Sequence, residues 1–291
     1  MANPQGQATG SKTQGTTPSQ QLPPPSSPNF WDPVSFEHEE ATDECLRRVG
    51  CDIRELEFYR VPGVFISAEE NNIAKIHALI LGTPGTPYEG GFFHFLMKCP
   101  PDFPNSPPRV RLMTTDAGRV RFGPSFHENG KVCLGLLGTS TGPAWSSGQC
   151  LGSVLLSIKA LLSTENPVAQ GSGLRVLPTL GKWQSGKICY NAVLQHETIR
   201  VAVCDAVEQC LGGTSAYPAP LKDVVLKHFP QFYGEYEKAV KKQLHLSGTR
   251  MNDSHEADVP TYQFDVLLER LAQLRGRVKG ANEAAAGKSS K

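Results

Sequence analysis

A chain of 291 residues with 39% hydrophobic content is long enough to bury a full core and carry an appendage. Its formal net charge of +1 argues against a nucleic-acid-binding stripe or an acidic tail, and no apolar run approaches the ~18 residues that span a bilayer. Eight cysteines without a CxxC pair, behind a start (Met1-Ala2-Asn3-Pro4-Gln5) that lacks an apolar signal core, point to reduced thiols in the cytoplasm or nucleus.

Residues 1–28 are Gln, Gly, Thr, Ser and Pro with a single charge, Lys12, and lack the apolar surface that offsets ordering entropy, so a disordered tail is expected. From 37 to 58, Leu46, Val49, Ile53 and Leu56 recur at three and four and predict an amphipathic helix, with Gly50 a weak point inside it. Four strands follow. Val64-Phe65-Ile66 is short and apolar; Ala74, Ile76, Ala78 and Ile80 alternate with Lys75, His77 and Leu79; Phe93, Phe95 and Met97 alternate again; Val110 to Met113 closes the set. Beyond Cys133 the period lengthens. Leu151, Val154, Leu155, Ile158, Leu161 and Leu162 make one helical stripe, with Ser146 or Ser147 as expected N-cap and Asn166-Pro167 past the end. A Gly-rich loop (168–187) precedes a longer helix near 188–211. Two further periodic stretches, 220–246 and 261–278, form a helical C-terminal extension, the first expected to split or kink at Pro230. The order predicts an α+β architecture: an N-terminal helix, a four-stranded antiparallel meander, then helices. It divides into a core at 30–211, the extension at 212–278 and a second disordered tail at 279–291.

The segment Arg121-Phe122-Gly123-Pro124-Ser125-Phe126-His127-Glu128-Asn129-Gly130-Lys131-Val132-Cys133-Leu134 sets a thiol just after a Pro-anchored turn and an Asn-Gly turn, a placement that displays a side chain. It resembles the active-site stretch of ubiquitin-conjugating enzymes. Tyr88-Glu89-Gly90-Gly91, Cys99-Pro100-Pro101-Asp102-Phe103-Pro104, Pro107-Pro108-Arg109-Val110 and Trp145-Ser146 resemble further motifs of that family, in the same order. The insertion Gly138-Thr139-Ser140-Thr141-Gly142-Pro143-Ala144, the string from His196 to Asp205 and the C-terminal extension resemble an extended type within it. The resemblance covers residues 30–278 and implies the ubiquitin-conjugating fold, with Cys133 as the nucleophile that holds ubiquitin, or a ubiquitin-like modifier, as a thioester.

Such a carrier needs a thiolate that is also a good leaving group, which selects Cys over Ser, and a donor aimed at the oxyanion of the transfer step. The family places a His-Pro-Asn turn there, with the Asn eight residues before the cysteine; this chain has Gly123-Pro124-Ser125. Ser125 and Asn129 are the candidates for oxyanion or loop support, though a turn Ser or an Asn-Gly pair has an ordinary structural use as well. Many members also carry an acidic residue after the post-cysteine helix. Between Glu165 and Glu197 there is none, and Glu128 and Glu165 read as surface charges. Asn105 and Ser147-Gly148 replace apolar residues with which ligase-binding relatives dock.

The resemblance implies a monomer that works with a ubiquitin-activating enzyme and, through loops altered here, a ligase. ATP is used upstream, and the chain itself is expected to bind no nucleotide, metal, nucleic acid or membrane. Two other readings follow from the residues. One is a catalytically weak relative that serves as a ubiquitin- or ligase-binding module; the other is a cysteine hydrolase with His127 as base, for which a six-residue spacing is no evidence. His196, Cys204 and Cys210 lack the fourth ligand of a zinc site.

Overall fold

The structure, a computed structural model, describes residues 29–167, 187–212, 216–251 and 260–289. The tail at 1–28 and the Gly-rich loop, apart from Lys187, lie outside the described residues. After a short 3-10 turn at Pro33–Phe36 the first helix, α1, spans Asp43–Tyr59 and begins six residues later than the periodicity suggests. Side chains of the sheet hold the intervening segment out of the helix. Lys98 Nζ donates to the Phe36 and Glu37 carbonyls at 2.6 and 2.9 Å, and Arg109 grips Glu39 through both its terminal nitrogens. Thr42 then caps α1, its hydroxyl accepting from the Cys45 N–H at 3.2 Å.

Four strands follow in an antiparallel sheet of order β1-β2-β3-β4: β1 Val64–Glu69, β2 Asn72–Leu81, β3 Phe92–Lys98 and β4 Arg109–Leu112. The register pairs Ile76 with Met97, Ala78 with Phe95 and Ile80 with Phe93, and carries on to Val110 and Leu112. Because side chains alternate, all of these share one face. That face forms a core with Cys45 and Val49 of α1 and with Leu151, Val154, Leu155 and Ile158 of the next helix, α2 (Leu151–Leu161). No serine caps α2: Cys150 holds the N-cap position without a side-chain bond, and the Leu151 N–H donates to Asp52 Oδ2 of α1 at 2.9 Å. Asp52 is 3% exposed and is fixed in turn by Arg48 Nε at 2.8 Å. The cap is thus supplied from a neighbouring helix.

The other sheet face is covered as well. Leu79, Leu81 and Phe92 pack under a long helix made of α3 (Lys187–Glu197), a π-helical stretch (Thr198–Asp205) and α4 (Ala206–Leu211), and under α5 (Ala219–Gln243) and α6 (Phe264–Ser289). The π stretch is rich in β-branched residues and buried almost all round, including Ile199, Val201, Ala202 and Val203. α5 runs through Pro230 without splitting. The ring sits on the exposed side, where water can serve the carbonyl it leaves free, while Leu221, Val225, Phe229, Tyr233, Tyr236 and Val240 keep the packed stripe continuous across it. α6 also continues past 278, where a disordered tail was expected. The run Ala281-Asn282-Glu283-Ala284-Ala285-Ala286 favours helix, and Lys279 and Glu283 pair one turn apart.

Candidate active site

Residues 125–133 form a tight hairpin. Phe126 bridges Val132, the His127 N–H donates to the Lys131 carbonyl at 3.0 Å and the Cys133 N–H to the Ser125 carbonyl at 2.8 Å. The bend is Glu128-Asn129-Gly130, with Gly130 at φ +90° and the Gly130 N–H donating to the His127 carbonyl. Period-two alternation then decides what faces where. Phe126 and Val132 point inward, 1% and 0% exposed, so Ser125, His127, Lys131 and Cys133 share the outer face, all half-buried. A second bridge, Arg111 to Lys131, docks the hairpin on β4.

Within that face Ser125 stands directly opposite Cys133 and His127 lies on the diagonal, the two nearest cross-strand positions. His127 Nε2 is 3.2 Å from Cys133 Sγ. Six residues of separation mean nothing in general. In a hairpin that bends at Asn-Gly, the same spacing makes 127 and 133 diagonal neighbours, and that register is the signal in the sequence that would have found the pair. Burial pushes the Cys133 thiol above its ordinary range, with the charges of Lys131 and Arg121 pulling the other way. Burial also holds His127 below the usual imidazole value, helped by Arg121 and Lys131 and opposed by Glu128. At neutral pH the pair is a thiol facing a neutral ring.

The two sequence candidates separate. The Asn129 amide oxygen accepts from the Lys131 N–H at 3.0 Å, an Asx turn on an exposed residue, so the side chain serves the bend. The Ser125 hydroxyl makes no hydrogen bond among the described residues, and its residue is the cross-strand partner of Cys133. Glu128 and Glu165 are exposed, and so are Asn105, Ser147 and Gly148.

Gly123, at the family's His position, adopts φ +108°, and a Cβ there would lie 2.9 Å from Tyr88 Oη. That hydroxyl donates to the Phe122 carbonyl at 2.8 Å, so the buried Tyr88 anchors the turn from the β2–β3 loop. On the far side of Cys133, the Leu134 N–H donates to Thr139 Oγ1 at 2.9 Å, and Gly142 packs against Gly135. The insertion 138–144 is therefore folded against the residues that follow the thiol. Trp145 ends it, 8% exposed, its indole N–H donating to the Pro104 carbonyl at 2.7 Å. His196 Nδ1 bonds to Glu197 and its Nε2 accepts from the Gln263 N–H, while Cys204 and Cys210 are fully buried in the second core.

A profile of the ubiquitin-conjugating enzyme family matches residues 48–172. Ubiquitin-conjugating enzyme E2 Z of Xenopus tropicalis is 42% identical over 259 residues, covering 88% of this chain and 80% of the relative. The chain belongs to the ubiquitin-conjugating enzyme family. The human E2 Z is 42% identical over 273 residues, covering 91% of this chain and 75% of the relative. Probable ubiquitin-conjugating enzyme protein 17 of Caenorhabditis elegans is 30% identical over 149 residues, half of this chain and 20% of the relative. The E2 Z matches cover too much of the chain to stop short of the C-terminal extension, so they take in at least part of it. The fold expected of a ubiquitin-conjugating enzyme, helix, antiparallel meander and C-terminal helices, is the fold found, and the chain is accordingly a transferase of that family.

Proposed function

We propose that Cys133 receives ubiquitin, or a ubiquitin-like modifier, from an activating enzyme by transthiolation and passes it to a lysine or to a ligase cysteine. The supporting observation is the hairpin itself: it holds a half-exposed thiol on an outward face, cross-strand from Ser125. The thiolate attacks the incoming thioester, and negative charge gathers on the carbonyl oxygen. Ser125 is the donor proposed for that oxygen; Asn129 supports it indirectly by fixing the bend. ATP is consumed upstream by the activating enzyme, and this chain works as a monomer, in the cytoplasm or nucleus, with no metal or nucleotide of its own.

With no buried carboxylate near the thiol among the described residues to deprotonate an incoming amine, discharge to a cysteine is the faster route. The exposed polar residues Asn105, Ser147 and Gly148 make ligase docking weaker than in relatives with apolar anchors. Those residues and the Gly123-Pro124-Ser125 turn are also what favours the second reading, a ubiquitin-binding module of low activity.

A charging assay separates the two. Purified chain is incubated with ubiquitin, ATP and each candidate activating enzyme and run on non-reducing gels. The carrier reading expects a thiol-sensitive adduct, absent in Cys133→Ala and replaced by a thiol-resistant ester in Cys133→Ser. Folded protein that forms no adduct with any activating enzyme supports the binding module instead.

A further inference from the structure

Resting on the carrier reading, we propose that His127 is a catalytic residue of this site, the base that takes the proton from the Cys133 thiol as the acyl group arrives and returns one when it leaves. The geometry is that of a nucleophile and its base. Nε2 lies 3.2 Å from Sγ, on the same hairpin face and at the diagonal position that the backbone register dictates. Both residues are half-buried, so the contact sits at the margin of solvent, where a large thioester partner can reach the sulfur.

The chemistry gives this contact a task. A thiol raised above its usual range by burial is almost wholly protonated at neutral pH, and only the thiolate attacks. The site must therefore either accept a slow reaction or remove the proton during attack. His127 is held below the usual imidazole value, so its ring is neutral, and in the Nδ1–H tautomer the Nε2 lone pair accepts from the thiol. The charged groups acting on the ring are Arg121, Lys131 and Glu128; Tyr190, from the helix behind, faces Arg121. Arg121 and Lys131 disfavour a stable imidazolium but favour negative charge at sulfur, so the proton moves with bond formation and does not rest on the ring beforehand.

The step balances. As the Sγ–C bond forms, the S–H proton passes to Nε2; as the bond between the carbonyl carbon and the activating enzyme's sulfur breaks, that sulfur leaves as a thiolate and takes the proton back from Nε2. On discharge to an amine, the N–C bond forms, the C–Sγ bond breaks, and a proton lost by the amine nitrogen is delivered through Nε2 to Cys133 Sγ. No oxidant or co-reactant is involved.

The test uses the full chain and two variants, His127→Gln, which keeps a polar side chain but no base, and His127→Ala, which stands in should the glutamine variant fail to fold. Alkylation of Cys133 by iodoacetamide is followed by mass spectrometry from pH 4.5 to 10, and single-turnover charging from pH 5 to 9. In the wild-type chain both rates should rise through the histidine's titration, below the ordinary imidazole value. Removing the base should lower both at pH 7 by about 100-fold, the low end of general-base effects. The gap should close as pH nears the thiol's own titration, where a thiolate forms unaided. Parallel profiles for variant and wild type across the range would overturn the proposal, since a merely structural role shifts rates without changing their pH dependence. So would unchanged rates at pH 7. Thioester formed by His127→Gln at high pH, in wild-type yield, supports the proposal and keeps Cys133 as carrier. If the wild-type chain forms no adduct at any pH, the carrier reading fails on its own, and the alkylation profiles still decide whether His127 is the base.

Discussion

At the scale of single residues, the turn before Cys133 departs from its family for a reason visible in the backbone. Gly123 adopts φ +108°, a region that side chains rarely tolerate, and the space where a Cβ would go is held by Tyr88 Oη at 2.9 Å. With no side chain at 123, the Tyr88-to-Phe122 bond is what fixes this turn. Gly123→His, which nominally restores the family pattern, should lower stability by about 1–3 kcal/mol, the usual cost of a strained backbone position, and slow charging as the turn shifts. Thermal melts and charging rates measured together check this; a variant that melts and charges like the wild type would show that Tyr88 does not set the turn. Ser125 and Asn129 invite a paired comparison. If Ser125 assists the oxyanion, Ser125→Ala should slow discharge by about 10- to 100-fold without a matching change in melting, less than the loss of a fully aligned donor. Asn129→Ala removes an Asx turn bond and should instead cost about 1 kcal/mol of stability with a modest effect on rate. The reverse ranking in a lysine- or cysteine-discharge assay would return Asn129 to the chemistry. That Cys133 is displayed on a hairpin face was legible from the two turn signals before it. The nearness of His127 was hidden, since only the hairpin register converts six residues into 3.2 Å.

At the scale of elements, the strands were readable in detail and the helix ends were not. Alternation of Phe93, Phe95 and Met97 is a local signal, and the register with Ile80, Ala78 and Ile76 follows it directly. Where α1 begins depends instead on Lys98 and Arg109, some sixty to seventy residues away, gripping the segment ahead of Thr42. The cap of α2 is equally non-local. The Leu151 N–H finds Asp52, and Ser146 and Ser147, although close in sequence, do not serve. Asp52→Ala should leave the buried Leu151 N–H and Arg48 Nε without their acceptor, for a loss of about 2 kcal/mol. Asp52→Asn, which retains an amide oxygen, should lose less. Equal urea midpoints for the two variants would show that charge, not the bond to Leu151, is what α2 needs. Gly50 sits inside α1 with nothing within 4 Å of the place a Cβ would occupy. Gly50→Ala should therefore stabilise the chain by about 0.5–1 kcal/mol, read as a higher melting temperature, and a lower one would place an unseen neighbour there.

At the scale of the whole molecule, the extension turns an open sheet face into a second core, and one loop connects it to the candidate active site. Tyr88 of the β2–β3 loop holds the Phe122 carbonyl ahead of Cys133, while Tyr236 of α5 donates to the Gly90 carbonyl two residues on, at 2.7 Å. Periodicity announced α5 and α6 as helices but not what they cover, because β2 shows Lys75 and His77 on its second face and only Leu79 and Leu81 reveal that the far end is dry. Covering that face buries His94 as well. Its ring stacks on Tyr217, centroids 4.6 Å apart, and its Nε2 lies 2.9 Å from His77 Nδ1, while His77 Nε2 reaches Glu69. Burial, then the neighbouring His77, pushes the His94 imidazole down to about 3. The unfolded chain protonates the same ring near the ordinary value of ~6.5. Between those limits the unfolded state binds more protons, so stability is fully present above ~6.5 and is lost as pH falls toward 3. Integrated from pH 6.5 to 5, this one group should remove about 1.5 kcal/mol. The depressed carboxyls of Glu69, Asp116, Glu197 and Glu208 add losses of the same sign, but mainly below their ordinary value near 4.3, and His127 adds a smaller share in the same window. Urea titrations at pH 7.5, 6.5 and 5 on the wild type and His94→Gln isolate the term. The variant is expected to be less stable at pH 7.5 yet to lose markedly less on acidification, and identical slopes would mean that the second core admits enough water to let His94 titrate as it does in the unfolded chain.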